Sequence, residues 1–121
     1  MYSPFRNEQG RPKGLDEVTY ADLAQLRDLE EGFALEFKRT WNENVRAKIP
    51  KIIASFANSH GGWLVIGIAD DDKTVCPVPK QSADFSQIFG ELCRHHVSPT
   101  PRFDTRFIAD PANPKQGAVV V

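Results

Sequence analysis

The segment from Ala54 to Ile68 constrains the fold most, because it joins an amphipathic helix to an apolar strand through two adjacent glycines. Apolar residues with the three-and-four spacing of one helical face precede and enter it: Val45, Ile49, Ile52, Ile53 and Phe56. Asn58 to Gly62 then supplies residues that tolerate the left-handed backbone needed to close a helix. Trp63 to Ile68 is continuously apolar, as in a strand covered on both faces. The segment therefore predicts a helix–strand unit in the core of the fold.

Patterns before and after this segment predict the remaining elements. They are a short helix capped by Thr19, a strand over residues 33–39, a helix over 83–95, a strand over 102–109 and a last strand after the loop at 110–117. The long helix is expected to end near Ser59. Pro50 lies inside it, where proline removes a hydrogen bond and clashes unless the regular helix begins only just before it. The order after the short helix is strand–helix–strand–helix–strand–strand.

The length of 121 residues predicts one domain. Residues 1–15 contain two prolines, two glycines and little apolar content, which predicts a mobile arm before a folded domain over 16–121. The last four residues, Ala118 to Val121, are apolar as in the middle of a strand. We therefore expect that the sequence is truncated at its C-terminus and that the parent protein continues.

Location and cofactor use are bounded by what the sequence lacks. No apolar run approaches the ~20 residues of a membrane helix, and the N-terminal residues have no signal-peptide centre. Cys76 and Cys93 show no tight pairing motif, which fits a reducing compartment. Cys93 is followed by His95 and His96, but a second ligand pair is missing, so a buried cysteine is favoured over a zinc site. We expect a cytoplasmic protein with no membrane partner and no metal site there.

Charge is unevenly distributed along the chain. The net charge of −1 argues against a strongly cationic nucleic-acid binder, and acids collect at 28–31 and 70–72. Between Phe37 and Lys51, however, one acid stands among five bases: Lys38, Arg39, Arg46, Lys48 and Lys51. A local basic face can bind phosphates inside a nearly neutral protein. Solvated charges along an exposed helix explain the same composition equally well.

Alternation in the predicted strands places several charges together. In the first strand Leu35 and Phe37 face one way, and Glu36 and Lys38 the other. The same rule separates Arg102, Asp104 and Arg106 from their neighbours in the third strand. We therefore predict a polar sheet face that carries charged residues from two strands: Glu36, Lys38, Arg102 and Arg106. A cross-strand charge ladder with no ligand is the alternative, and periodicity alone favours it.

Three motifs in combination resemble the Alba-like domain shared by Schlafen proteins and bacterial proteins described as DNA-binding transcriptional regulators. They are Glu31 followed after four residues by Glu36-Phe37-Lys38, the helix end Phe56-Ala57-Asn58-Ser59-His60-Gly61-Gly62, and the strand end Gly67-Ile68-Ala69-Asp70. The resemblance runs from about Leu23 to the last residue. It implies an α+β fold with a mixed sheet, the element order given above, and helices on one sheet face.

The function that this resemblance implies is nucleic-acid binding by a bacterial-type transcriptional regulator, with DNA favoured over RNA. We expect contacts mainly to phosphates, which give affinity and salt dependence but little sequence information. The expected contact residues are Lys38, Arg39, Arg46, Lys48 and Lys51, supported by Arg102 and Arg106. Such binding requires no cofactor. A different class of function is a dimerisation module without a ligand, which the near-neutral charge also suits.

The resemblance also implies a second activity, because an acidic triad cleaves RNA in the nuclease-active Schlafen proteins. By motif its positions are Glu31, Glu36 and Asp70. Clustered carboxylates would hold Mg²⁺ or Mn²⁺ and activate water, with Lys38 on a phosphate. Alternatively, residues 70–72 are simply a turn, since aspartate favours turns. We therefore lean against an enzyme, and expect a metal-dependent endoribonuclease if there is one.

Both tryptophans are candidates for stacking on bases. Trp41 is flanked by Arg39 and Asn42 in a predicted loop, which makes it the better candidate for such a contact. Trp63 begins the apolar strand and is expected in the core.

Overall fold

A computed structural model of the chain describes residues 3–29, 34–58, 61–69, 71–96 and 102–121. Two 3-10 helices, Leu15–Glu17 and Ala21–Asp28, precede five strands and two α-helices. In chain order these are β1 (Leu35–Lys38), α1 (Glu43–Ala57), β2 (Trp63–Ile66), β3 (Val78–Pro79), α2 (Phe85–His96), β4 (Arg106–Asp110) and β5 (Asn113–Val120). The mixed α+β class is confirmed. The order differs from the predicted one by the short β3, and β4 begins four residues later than predicted.

The sheet is mixed, with one parallel pair and antiparallel pairs around β5. β1 runs parallel to β2, with Leu35 opposite Trp63 and Lys38 opposite Ile66. β5 is central: its Val119 pairs with Ile66 of β2 on one side and with Phe107 of β4 on the other. β3 pairs with β5 further along the same edge that β2 uses. The link from β1 through α1 to β2 is thus the crossover that a parallel pair requires.

Each face of the sheet is covered by a different layer. On one face α1 and α2 pack together on Leu64, Ile66 and Val119, as predicted for the two long helices. On the other face residues 3–29, the N-terminal segment, pack on the strand residues that alternate with those, including Phe37 and Val65. Since successive strand residues point to opposite faces, this explains why β2 reads as a continuous apolar run.

Residues 3–14, which belong to the arm predicted over 1–15, contact the rest of the domain at several points. The Phe5 side chain is fully buried beneath the sheet, and its ring meets the Trp63 ring edge-on with centroids 5.7 Å apart. The Arg6 backbone N–H donates to the Gln25 side chain at 2.8 Å, and Lys13 pairs with Asp22 at 2.7 Å. Proline and glycine suggested an unstructured segment, but one aromatic anchor and a few polar contacts hold it against the domain.

Helix α1 begins earlier relative to Pro50 than the sequence suggested. The Asn42 side chain caps it by accepting the Val45 N–H at 2.9 Å. Pro50 is the eighth residue of the helix and is buried against the core. Its missing N–H costs one helical hydrogen bond, which burial of the ring offsets. The helix ends at Ala57, and Gly61 takes a φ of 89°, the left-handed conformation predicted for this turn.

Candidate nucleic-acid interface

The carboxyl ends of β1 and β2 lie side by side and form the first part of the candidate interface. The Lys38 carbonyl accepts the N–H groups of Gly67 and Ile68, at 2.7 and 3.2 Å. Arg39 follows directly and is exposed, and the chain then enters α1 through the Asn42 cap. Ligands of open α/β sheets bind outside the carboxyl ends of parallel strands. This edge therefore brings two predicted contact residues, Lys38 and Arg39, to a position suited to a ligand.

Glu36 and Lys38 form an ion pair at this edge. Their Oε1 and Nζ atoms are 3.2 Å apart, and their side chains are 27% and 22% exposed. The predicted alternation is confirmed, because Leu35 and Phe37 are buried and alternate along β1 with the half-buried Glu36 and Lys38. Exposed pairs of this kind contribute about 0–1 kcal/mol. The pair leaves Lys38 partly neutralised, so Lys38 is a weaker contact for phosphate than its sequence position suggested.

The prediction that one polar sheet face carries all these charged residues is wrong. Glu36 and Lys38 lie on the α1–α2 face, since their pairing partners Leu64 and Ile66 belong to that core. Arg106 lies on the opposite face, opposite Val120 of the N-terminal core. Alternation assigns residues to one of two faces within each strand, but it does not say which face of one strand matches which face of another.

Arg106 is engaged inside the fold. Its Nη1 atom donates to the carbonyl oxygens of Leu15, at 2.9 Å, and Val18, at 2.6 Å. Both acceptors belong to the N-terminal segment. Arg102, predicted to share a strand with Arg106, lies before β4 in irregular structure and is exposed. The geometry therefore gives Arg106 a place in the packing of the N-terminal segment and leaves Arg102 open to solvent.

Helix α1 carries the second part of the candidate interface. Arg46, Lys48 and Lys51 are all exposed, while Val45 and Ile49 on the same helix are buried. At 3.6 residues per turn, Lys48 and Lys51 share one side of the helix, whereas Arg46 points nearly opposite to Lys48. The structure thus divides the predicted basic run into an exposed lysine pair on the outer side of α1 and a group around its first turn.

The turn after β2 adds a cation that the sequence did not indicate. Lys73 has a φ of 60°, and its ammonium lies 5.5 Å from the centroid of the Phe37 ring. Asp72 accepts the Thr74 N–H at 2.9 Å, and hydrogen bonds from the Thr74 side chain and backbone hold the pKa of the Asp72 carboxyl below its usual value. The interpretation of 71–72 as a turn is confirmed. The position of Lys73 depends on a left-handed backbone in a non-glycine residue, which no sequence pattern indicates.

The acidic triad stays a prediction. Glu31 and Asp70 lie outside the described residues, and Glu36 is paired with Lys38. Within the described ranges no three His, Cys, Asp or Glu side chains are grouped so that they could hold a metal ion.

Cys93 is fully buried, and burial raises the pKa of its thiol. The interpretation of Cys93 as a core cysteine is thereby confirmed.

Trp41, the better candidate for stacking on bases, packs partly into the core. Its ring lies 5.4 Å from Phe85 and 5.6 Å from Phe89, centroid to centroid, and it is half-buried against the α1–α2 core. An aromatic side chain at the start of α1 is drawn into the nearby core of α2, because burying its apolar area is favourable.

Comparison with known proteins agrees with this architecture. A family model described as "Schlafen, AlbA_2" matches residues 31–120, well over half of the chain. The match covers β1 through β5 and includes both parts of the candidate interface. In the described part of the chain, each helix is too short or too polar to cross a bilayer.

Proposed function

The chain belongs to the Schlafen AlbA_2 family, and on that premise we propose that it binds nucleic acid through phosphate contacts as part of a transcriptional regulator. The nucleic acid we expect is DNA. The family is compatible with nucleic-acid binding, and the distribution of unpaired cations supports a phosphate-directed mode.

The observation that carries the proposal is the state of four bases between β1 and the middle of α1. Arg39, Arg46, Lys48 and Lys51 are exposed, and none forms an ion pair with another residue that the structure describes. Glu43 is the one acid within this stretch. Unpaired surface cations release counterions from a phosphate backbone, so a nearly neutral protein can bind through them.

The spacing along α1 suits a run of phosphates. Lys48 and Lys51 share one side of α1 and are three residues apart, about 4.5 Å along the helix axis at 1.5 Å per residue. Duplex DNA carries a charge every ~1.7 Å of its axis, so several phosphates lie within reach of the long side chains. The side chains of the four cations form no ion pair with any other described residue. Such contacts give affinity and orientation, with little discrimination between sequences.

The test is the salt dependence of binding to a labelled DNA duplex. Each cation that contacts a phosphate should add about −0.9 to the slope of log K against log[salt], so the slope should lie between about −1.8 for Lys48 and Lys51 alone and about −3.6 for all four cations. Lys48→Ala with Lys51→Ala should then reduce the magnitude of the slope by about 1.8. A matched control is Lys80→Ala with Lys115→Ala, which removes the same charge from two exposed lysines at the β3–β5 end of the sheet.

Equal slopes for the two double variants would contradict the proposal, because net charge alone would then explain the binding. A parallel titration with structured RNA, in the presence and absence of Mn²⁺, tests the other predictions. Tighter binding of RNA would overturn the preference for DNA. Metal-dependent shortening of the RNA that disappears in Glu36→Gln would establish the nuclease and change the assignment from binding module to enzyme.

A further inference from the structure

A cavity of about 280 Å³ opens at the amino end of β2, away from the carboxyl edge that holds Lys38 and Arg39. It lies where the two layers of the domain meet, so both contribute to its walls. The side chains and backbone that matter are Ile53, Phe56, Gly62, Trp63, Phe103 and Val121. Three of these are aromatic. The Phe56 ring lies directly against Gly62, where any side chain would collide with it.

A second cavity of about 540 Å³, called here the polar cavity, lies beside the first, and five of its seven lining residues are polar or charged. The two share Arg102, Phe103 and Asp104, and the second adds Arg94 and Ser86. Neither arginine forms an ion pair within the described ranges. Arg94 uses its Nε for a 3.4 Å bond to the Gly90 carbonyl, so its terminal nitrogens point elsewhere.

A buried hydroxyl in the same wall lacks a partner. The Oγ1 atom of Thr105 is enclosed and makes no hydrogen bond to any described residue, and Thr105 lines the polar cavity. Buried polar atoms are nearly always satisfied by protein, water or a ligand. Thr105 lines the same cavity as Arg94 and Arg102, and a small rotation of its side chain would turn the hydroxyl towards a ligand there.

We infer that these joined cavities bind one nucleotide unit, with the base in the aromatic cavity and the phosphate on Arg102 and Arg94. Aromatic walls stack on bases regardless of their identity, and guanidinium groups form paired hydrogen bonds with phosphate. Asp104 repels a phosphate, so we place its carboxylate on the ribose hydroxyls or a base amino group, both of which donate. The inference goes beyond the proposed function, since it uses other residues at the other end of β2.

The volume limits the ligand to a single unit. An apolar cavity of ~150 Å³ accepts a benzene ring, and pockets for small ligands begin near ~300 Å³. The aromatic cavity, at about 280 Å³, therefore admits one base with part of its sugar. A dinucleotide would not fit inside it.

Tryptophan fluorescence gives a direct test, since Trp63 lines the cavity and Trp41 does not. In a Trp41→Phe background, adenosine monophosphate should quench the remaining emission saturably. Adenosine lacks the phosphate and inorganic phosphate lacks the base, so each should bind at least about fivefold more weakly. No saturable quenching, or equal affinity for the nucleotide and adenosine, would overturn the inference.

Two variants assign the site. Arg102→Ala should weaken binding of the nucleotide by about fivefold while leaving the affinity for adenosine unchanged. Ala57→Leu adds bulk at an exposed position on the cavity wall and should weaken binding of both. Arg27→Ala, which removes an exposed arginine that lines neither cavity, is the control and should change neither affinity. An equal loss in Arg27→Ala and Arg102→Ala would refute the assignment.

A free nucleotide and the end of a nucleic-acid strand present the same chemistry. A single-stranded oligonucleotide with a 5′-phosphate is therefore titrated beside the mononucleotide. Tighter binding of the strand, lost in Arg102→Ala, assigns the site to a strand end, whereas preference for the mononucleotide assigns it to a free ligand. Quenching by neither would reject both sources. Because Lys48 and Lys51 are intact throughout, failure here leaves the DNA salt slope unaffected.

Discussion

Replacing Arg106 by methionine tests whether this residue acts in folding or in nucleic-acid binding. Its guanidinium joins β4 to the N-terminal segment through bonds of 2.9 Å to the Leu15 carbonyl and 2.6 Å to the Val18 carbonyl. Methionine keeps the aliphatic packing and removes both donors. Each hydrogen bond from a charged donor contributes about 1.5–3 kcal/mol. Because the side chain is only half-buried, the lower figure applies, and two bonds give a loss of about 3 kcal/mol.

That loss is large against the roughly 5–15 kcal/mol that holds a domain folded. Urea unfolding followed by circular dichroism measures it as a lower midpoint with an unchanged slope. Arg102→Met is the matched control, because Arg102 is exposed and its side chain bonds to no other described residue; its free energy of unfolding should lie within about 0.5 kcal/mol of the parent. A change of that small size for Arg106→Met would refute the structural role.

A binding role for Arg106 makes a different prediction for the same variant. If Arg106 contacts phosphate, the slope of log K against log[salt] for DNA should shrink by about 0.9. If it only anchors the N-terminal segment, the slope measured well below the unfolding midpoint should stay the same. We expect the second result, because both acceptors of the guanidinium lie inside the fold.

Two further substitutions test other parts of the structure. Burial pushes the pKa of Asp22 up, but bonds from Lys13 and Thr19 outweigh it and leave that pKa below the ordinary 3.8. The stabilising contribution of the Asp22 carboxylate is therefore present above pH 3.8 and lost as the pH falls through the folded pKa. Asp22→Asn should consequently lower the free energy of unfolding in urea by about 1 kcal/mol at pH 7, and by progressively less in acid. Gly117→Ala places a methyl group against the Ile108 carbonyl oxygen across the β4–β5 pair and should lower stability by more than about 2 kcal/mol in thermal unfolding, whereas Gly90→Ala, with open space around it, should not.

Local patterns predicted the parts of the fold that local chemistry determines. The apolar spacing in α1 and the apolar run in β2 were sufficient, because each follows from the geometry of a single element. The packing of residues 3–14 could not be predicted in this way. Arg106 is 91 residues from the Leu15 carbonyl that it binds, and only the assembled sheet brings them together.

In the candidate interface, too, only the features that depend on a single helix or strand could be predicted. Exposure of Lys48 and Lys51 followed from the helical period, and the Glu36–Lys38 pair followed from alternation in β1. The error over Arg106 arose because alternation gives the relative facing of neighbours in one strand, while the covering layer is set by the whole chain. The packing of Trp41 could not be predicted for a related reason: its aromatic partners belong to α2, over forty positions further along the sequence.

The covering of both sheet faces restricts where any ligand can bind. With α1 and α2 on one face and the N-terminal segment on the other, the described strands are accessible to a ligand at their ends, and α1 is accessible on its outer side. The first proposed site follows Arg39 into α1, and the second opens at the amino end of β2, where Ile53 and Phe56 of α1 line it. Lys48 and Lys51 line neither cavity, and substitutions at sites without shared partners usually act additively. Arg102→Ala and the Lys48–Lys51 double variant should consequently give the sum of their separate effects on binding of a 5′-phosphorylated strand. A combined loss far from that sum would mean that the two surfaces belong to a single site.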